Sequence, residues 1–136
     1  MNIVYATSDN FVDILAVSLA SLYETNAHLK PRVWILSYGV TQANKAKLDQ
    51  LASQYGQAPI EWLEDMTLPA ELQSDRGSLS QFGRLFLGTI LPESVHQVLY
   101  LDGDTVIKGS LDQLVETPFD GAIVMGVSDT FNKQYK

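Results

Sequence analysis

The sequence contains no cysteine, so disulfide bonds, thiolate zinc sites and thiol nucleophiles are all excluded. Basic residues are also few: nine Lys and Arg stand against sixteen Asp and Glu, which gives a net charge of −7. A chain of this charge lacks the basic surface that attracts nucleic acids or anionic lipid, so we predict neither as a partner. An anionic substrate would need a cation as an intermediary.

Long hydrophobic runs are absent as well. The longest apolar stretch, residues 11–22, contains Asp13 and two serines and is too short to cross a bilayer. No basic residue precedes this stretch, which distinguishes it from a signal peptide. We therefore expect no membrane span and predict a cytoplasmic protein, in which 136 residues form one domain over residues 1–136.

Apolar runs of the kind that form buried strands alternate with segments of helical periodicity. The strand-type runs are residues 3–6, 33–38, 60–63, 98–101 and 122–127, and the helical segments are residues 11–22, 41–55 and 80–90. This alternation predicts an α/β sandwich with a mostly parallel central sheet flanked by helices. Such sheets bind ligands beyond the carboxyl ends of their strands, where Asn10, Asp102, Asp104 and Asp129 are all expected.

Two carboxylates separated by one glycine follow the run at residues 98–101. If the strand continues through them, Asp102 and Asp104 point to the same side and can bind one cation, and Gly103 lets the backbone approach its ligand. The alternative is that Asp-Gly forms a solvated turn between two strands. An EF-hand loop is excluded, because Val106 stands where that loop needs an oxygen ligand and Ile107 stands where it needs glycine.

Other polar residues have a structural and a functional interpretation. Asp9 or Asn10 can cap the helix over residues 11–22, or the polar end of the first strand can bind a ligand. Arg84 lies beside an apolar helix face, from which it can reach a cleft or stay solvated. His28 and His96 are predicted to be surface residues.

Four segments, taken in order, resemble glycosyltransferase family 8, the retaining nucleotide-sugar enzymes of the GT-A fold. Residues 3–11 are similar to the first strand and uridine-binding loop of that family. Residues 82–85, Phe-Gly-Arg-Leu, look like its arginine-containing helix segment, and residues 99–104, Leu-Tyr-Leu-Asp-Gly-Asp, like its metal-binding D-x-D strand. Asp129 matches a position near the donor sugar.

The resemblance implies a transfer of hexose from a UDP-sugar, such as UDP-glucose or UDP-galactose, to a sugar, lipopolysaccharide or other glycan acceptor with retention of configuration. Asp102 and Asp104 would hold Mn²⁺ or Mg²⁺ against the diphosphate, and Asp102 would also contact the ribose. Arg84 and Asp129 would be the catalytic residues, with Asp129 on the donor-sugar hydroxyls. The implied nucleotide-binding residues are Ala6, Thr7, Ser8, Asn10, Arg84, Asp102, Gly103 and Asp104.

Two departures from the family pattern matter. Ser8 stands where the family often has an acidic residue. The histidine and lysine that complete the site belong to the second half of longer members, and neither His28 nor His96 matches that motif. The chain therefore resembles the amino-terminal portion of an enzyme. The alternatives are a metal- and nucleotide-binding module that transfers nothing, and an interaction module, for which homo-oligomers are expected.

Overall fold

The computed structural model describes residues 1–64 and 80–127. The first range carries three strands and two α-helices: strand β1 (Asn2–Ser8), helix α1 (Val12–Asn26), strand β2 (Arg32–Tyr38), helix α2 (Gln42–Gln54) and strand β3 (Glu61–Leu63). It also has two 3-10 segments, Asp9–Phe11 and Ala27–Leu29. The second range carries shorter ones: a 3-10 segment (Ser80–Phe86), helix α3 (Leu87–Ile90), strand β4 (Leu99–Tyr100) and helix α4 (Asp112–Glu116).

The strands form one sheet in the order β3-β2-β1-β4, and every pair is parallel. β1 and β2 pair over their full length, from Asn2 opposite Arg32 to Ser8 opposite Tyr38. The prediction of an α/β fold with a parallel sheet flanked by helices is confirmed. The carboxyl edge of the sheet is the edge at which β1 ends at Ser8 and β2 ends at Tyr38.

The sheet has an apolar cluster on each face because successive strand residues point to opposite sides. Ile3 and Tyr5 of β1 belong to a buried cluster with residues of α1 and α2. Val4 belongs to the cluster on the other face, where segment 87–100 packs. The buried members of this second cluster are Val4, Trp34 and Leu36.

Helix α1 packs less completely than its composition predicts. Leu15 and Leu19 face the sheet and are buried, whereas Phe11, Ile14 and Val17 are exposed. Phe11 and Ile14 share the helical spacing of residues 11–22, but they are exposed because only one side of α1 meets the sheet. None of the helices within the described ranges is long and apolar enough to cross a bilayer.

The predicted helix over residues 80–90 is mostly a 3-10 segment, with one α-helical turn at its end. Gly83 explains part of the difference, because glycine is a weak α-helix former. It also lies very close to β2: an added Cβ would be 2.4 Å from Tyr38 Oη and 2.8 Å from Leu36 Cδ1. The segment is thus held against the sheet at a residue that has no side chain.

Two predicted strands differ in the structure. The run at residues 98–101 yields only the two-residue strand β4, which is half-buried rather than buried on both faces, since within the described ranges it pairs with β1 alone. The run at residues 122–127 is irregular and exposed, with Ile123 94% and Val127 100% accessible. A strand requires a neighbour, and no described strand pairs with this run.

Candidate functional site

The sheet topology brings the end of β1 and the Asp102 region to one edge. Val4 pairs with Tyr100, and the Leu101 N–H donates to the Val4 carbonyl at 3.0 Å. Asp102 therefore emerges beside the last residues of β1. This edge is the location predicted for the candidate site from the alternation of strands and helices.

Asp102 and Asp104 lie in a turn and not in an extended strand. The Asp102 carbonyl accepts from the Thr105 N–H at 3.1 Å and from Thr105 Oγ1 at 2.7 Å. Strand alternation therefore does not place the two side chains on the same side, because β4 ends at Tyr100. The alternative of a turn is thus correct for the backbone of residues 102–105. The turn does not belong to a hairpin, because β4 pairs in parallel with β1. Both aspartates are exposed to solvent.

Arg84 also reaches this edge. It comes from the face of the sheet that is opposite to α1. Its Nη2 lies 3.4 Å from Asp102 Oδ1, and its guanidinium carbon lies 4.6 Å from the centre of the Tyr100 ring. Burial raises the pKa of Tyr100, and the positive charge of Arg84 opposes that shift. The ring thus supports the guanidinium of a side chain that is 42% exposed.

Among the residues that the structure describes, Gly103 has no neighbour that requires a glycine. An added Cβ would meet Leu15 Cδ1 at 3.7 Å, which is an ordinary van der Waals contact. Internal packing therefore leaves room for a small side chain at this position. The expectation that Gly103 serves close approach of a ligand stays a prediction.

The loop after β1 places its predicted residues differently. Ala6 is half-buried, Thr7 is buried with its Oγ1 donating to the Ser8 carbonyl at 3.2 Å, and Asn10 is exposed in a 3-10 turn. Ser8 is half-buried at the end of β1. Ala6, Ser8 and Asn10 are thus accessible at the carboxyl edge, whereas Thr7 points into the protein.

Asp9 does not cap α1, which corrects the capping prediction. The N-terminus of α1 has no side-chain cap, and Asp9 Oδ1 accepts instead from the Thr41 N–H and from Asn44 Nδ2, both at 2.8 Å. The bond from the Thr41 backbone is the main reason that the pKa of Asp9 is lowered. Asp9 therefore joins the end of β1 to the start of α2, where Thr41 is the N-cap and its Oγ1 accepts from the Asn44 N–H.

Comparisons with known proteins identify the family. The model of the glycosyl transferase family 8 matches residues 2–136, which is nearly the whole chain. This chain belongs to glycosyl transferase family 8. Among its relatives, a lipopolysaccharide 1,2-glucosyltransferase from Escherichia coli K12 is 28% identical over 141 residues, covering 100% of this chain and 40% of that protein. A lipopolysaccharide 1,3-galactosyltransferase from Salmonella typhimurium LT2 is 25% identical and covers 87% of this chain and 35% of that protein.

A solved structure supports the same fold. The galactosyltransferase LgtC, solved in complex with donor and acceptor sugar analogs, matches with a TM-score of 0.72 and 28% identity. The match covers 88% of this chain and 43% of LgtC. The family 8 chain thus has the GT-A-like architecture and spans about two fifths of the length of these relatives.

The carboxylates of this family 8 chain fit a hard divalent cation. Within residues 1–64 and 80–127, no three His, Cys, Asp or Glu side chains come together as a ligand set. Mg²⁺ and Mn²⁺ sites often use one or two carboxylates and complete their coordination with substrate phosphates and water. Asp102 and Asp104 match that donor set. Asp129, the remaining predicted site residue, lies outside the described residues.

The two histidines lie away from these carboxylates. His28 Nε2 is 2.9 Å from Asp112 Oδ1 on the surface, and His96 is exposed. The prediction of surface positions for both is confirmed. The sequence analysis did not assign a role to Tyr100, whose ring supports Arg84, although an aromatic residue two positions before Asp102 was a visible signal.

Proposed function

We propose that this chain is the donor-binding part of a retaining, metal-dependent hexosyltransferase that uses a UDP-sugar. The observation that carries the proposal is the pairing of Asp102 and Arg84 beside the end of β1 in a family 8 chain. A cation held by carboxylates and a guanidinium at one edge match the charge of a nucleoside diphosphate. The whole enzyme's acceptor is proposed to be a glycan of the lipopolysaccharide type, following the relatives' names.

The residues of the chain divide the work by their chemistry. Asp102 and Asp104 would hold Mn²⁺ or Mg²⁺, and when bound the ion supplies Lewis acidity to the departing UDP. Arg84 binds phosphate oxygens and adds fixed positive charge where negative charge grows on the leaving group. The Tyr100 ring keeps the guanidinium at this edge, since Arg84 lies over its face.

The nucleoside end of the donor is assigned to the loop after β1. Ala6, Ser8 and Asn10 line the proposed uridine pocket, and Thr7 shapes it from inside through its bond to the Ser8 carbonyl. Asp129 is proposed to bind the hydroxyl groups of the donor sugar, and retention of configuration follows the family assignment. UDP-glucose and UDP-galactose are the proposed donors.

The second candidate function is binding without transfer. One observation favours it: the described ranges supply at most a two-carboxylate set for the metal. In this case the chain would bind Mn²⁺ and UDP as a module, and transfer would need additional protein.

Titration calorimetry of UDP with and without Mn²⁺ tests the proposal. We expect Mn²⁺ to strengthen UDP binding by roughly tenfold or more, and the double variant Asp102→Asn, Asp104→Asn to lose that gain. The matched control is the double variant Glu93→Gln, Asp120→Asn, which removes two exposed carboxylates outside the site.

The outcomes separate the candidates. Metal-dependent binding with release of glucose or galactose from the UDP-sugar supports the transferase, and metal-dependent binding without release supports the binding module. Equal UDP binding by the wild type with and without Mn²⁺ contradicts the assignment of Asp102 and Asp104.

A further inference from the structure

Polar side chains of α1 hold the segment that follows the two aspartates. Ser21 Oγ accepts from the Ile107 N–H at 2.9 Å, and Asn26 donates to the Gly109 carbonyl at 3.1 Å. The Leu111 N–H donates in turn to Asn26 Oδ1 at 2.7 Å. The contacted residues are two apart, as expected for one edge of an extended chain.

The contact nearest the aspartates is a chain of hydroxyl groups. Ser18, which is fully buried, places its Oγ 3.2 Å from Tyr5 Oη and 3.3 Å from Thr105 Oγ1. Thr105 Oγ1 then donates to the Asp102 carbonyl at 2.7 Å. Contacts between side-chain oxygens therefore link β1, through α1, to the backbone of Asp102, with Ser18 donating to Tyr5 and Thr105 donating to the Asp102 carbonyl.

These contacts matter because the two aspartates lie in a turn beyond the end of a short strand. Both carboxylates are exposed, and β4 pairs with β1 over only two residues. A turn whose side chains must meet one cation needs its backbone fixed by groups that do not themselves bind the cation. Ser18 and Thr105 meet that description, since the Thr105 hydroxyl group bonds the Asp102 carbonyl and Ser18 contacts Thr105 from α1.

We propose that Ser18 and Thr105 are positioning residues that fix the turn of Asp102 and Asp104 for binding of the metal. The inference rests on the proposed function, because it assigns the two aspartates to a Mn²⁺ or Mg²⁺ site. Neither hydroxyl group is a metal ligand. Their removal weakens the metal-dependent part of nucleotide binding and leaves the metal-independent part unchanged.

The test compares UDP affinity with and without Mn²⁺ in three variants. Thr105→Val and Ser18→Ala each remove one hydroxyl group, and we expect the gain in affinity due to Mn²⁺ to fall by roughly tenfold. Thr105→Ser restores the hydroxyl group and is expected to restore that gain. The electron paramagnetic resonance spectrum of bound Mn²⁺ provides a second readout that a loss of stability alone does not alter.

The matched control is Ser37→Ala. Ser37 is also a buried serine whose Oγ accepts from a backbone N–H, that of Val40 at 3.4 Å, at a turn that does not contain the aspartates. We expect Mn²⁺ to increase the UDP affinity of Ser37→Ala as much as that of the wild type. All variants are first compared by urea unfolding, so that affinities refer to folded protein.

Two failures are distinguishable. If the wild type gains no UDP affinity from Mn²⁺, the proposed function fails, and the positioning proposal fails with it. If the wild type gains affinity but Thr105→Val and Ser18→Ala gain as much, only the positioning proposal is overturned. An equal loss in Thr105→Ser or in Ser37→Ala overturns it too, since the hydroxyl contact would then not be the cause.

Discussion

The two described ranges differ in what stabilises them. Every buried apolar side chain of the described structure lies between Ile3 and Ile60, in the range of long strands and helices. Residues 80–127 have short elements, and their large apolar residues are half-buried or exposed. The first range therefore has its own core, whereas the second is held in place by its contacts with the first.

Those contacts explain how an exposed segment can carry a site. β4 pairs with β1, Gly83 lies against β2, and polar groups of α1 bond the backbone after the aspartates. Geometry at Asp102 is thus set by residues far earlier in the chain. A change in the first range can alter the site without touching it.

The largest expected effect tests where the core lies. Leu19→Ala, in the buried face of α1, should lower the free energy of unfolding by about 2–5 kcal/mol, because it leaves a cavity. Val106→Ala, at a residue 58% exposed in the second range, should change it by less than about 0.5 kcal/mol. Urea unfolding of both variants measures the difference, and equal losses would contradict the division into two ranges.

An intermediate effect is expected where the ranges meet most closely. Gly83→Ala should cost about 1–3 kcal/mol, because the new Cβ overlaps Tyr38 Oη and Leu36 Cδ1. Gly88→Ala is the control, since an added Cβ there meets nothing within 4 Å. We expect Gly88→Ala to be neutral or stabilising by up to about 1 kcal/mol. Thermal unfolding measures the stability of both variants. Equal changes in Gly83→Ala and Gly88→Ala would contradict the close contact of Gly83 with β2.

The smallest effect is expected for the surface pair formed by His28 in the first range and Asp112 in the second. The hydrogen bond from Ser110, and then that from His28, lower the pKa of Asp112. A lowered carboxyl pKa contributes stability above its usual value of 3.8, and that contribution is lost as the pH falls through the folded-state pKa. Asp112→Asn should therefore unfold at a slightly lower urea concentration than the wild type near neutral pH. In acid, the two proteins should unfold at the same urea concentration.

Asp120→Asn provides the control for this pH series. Asp120 is also exposed in the second range, and asparagine tolerates its φ of 47°. A pH-independent difference between Asp112→Asn and the wild type would show that the ionised carboxylate is not the cause.

Sequence patterns predicted the first range well because its signals are local and strong. The apolar run at residues 33–38 corresponds to β2, and the helical segment at residues 41–55 corresponds to α2. Helical periodicity likewise located α1. The α/β class and the family could both be inferred from these patterns together with the motifs at Arg84 and Asp102.

The remaining features depend on partners that a local pattern does not specify. Residues 122–127 have the composition of a strand but no described neighbour, and Asp9 bonds α2 instead of the helix that follows it. Ser18 lies within an apolar run, so a buried polar contact could have been suspected there. Its partner, Thr105, is 87 positions away and only the fold brings the two together.

The amide of Asn26 has a consequence for association between molecules. It donates to the Gly109 carbonyl and accepts from the Leu111 N–H, as the peptide group of a neighbouring strand would. Unpaired backbone groups of an extended segment invite strands of other chains, which is a common route to aggregation. Because α1 already occupies these groups, a foreign strand that docked at residues 109–111 would first have to displace a buried side chain.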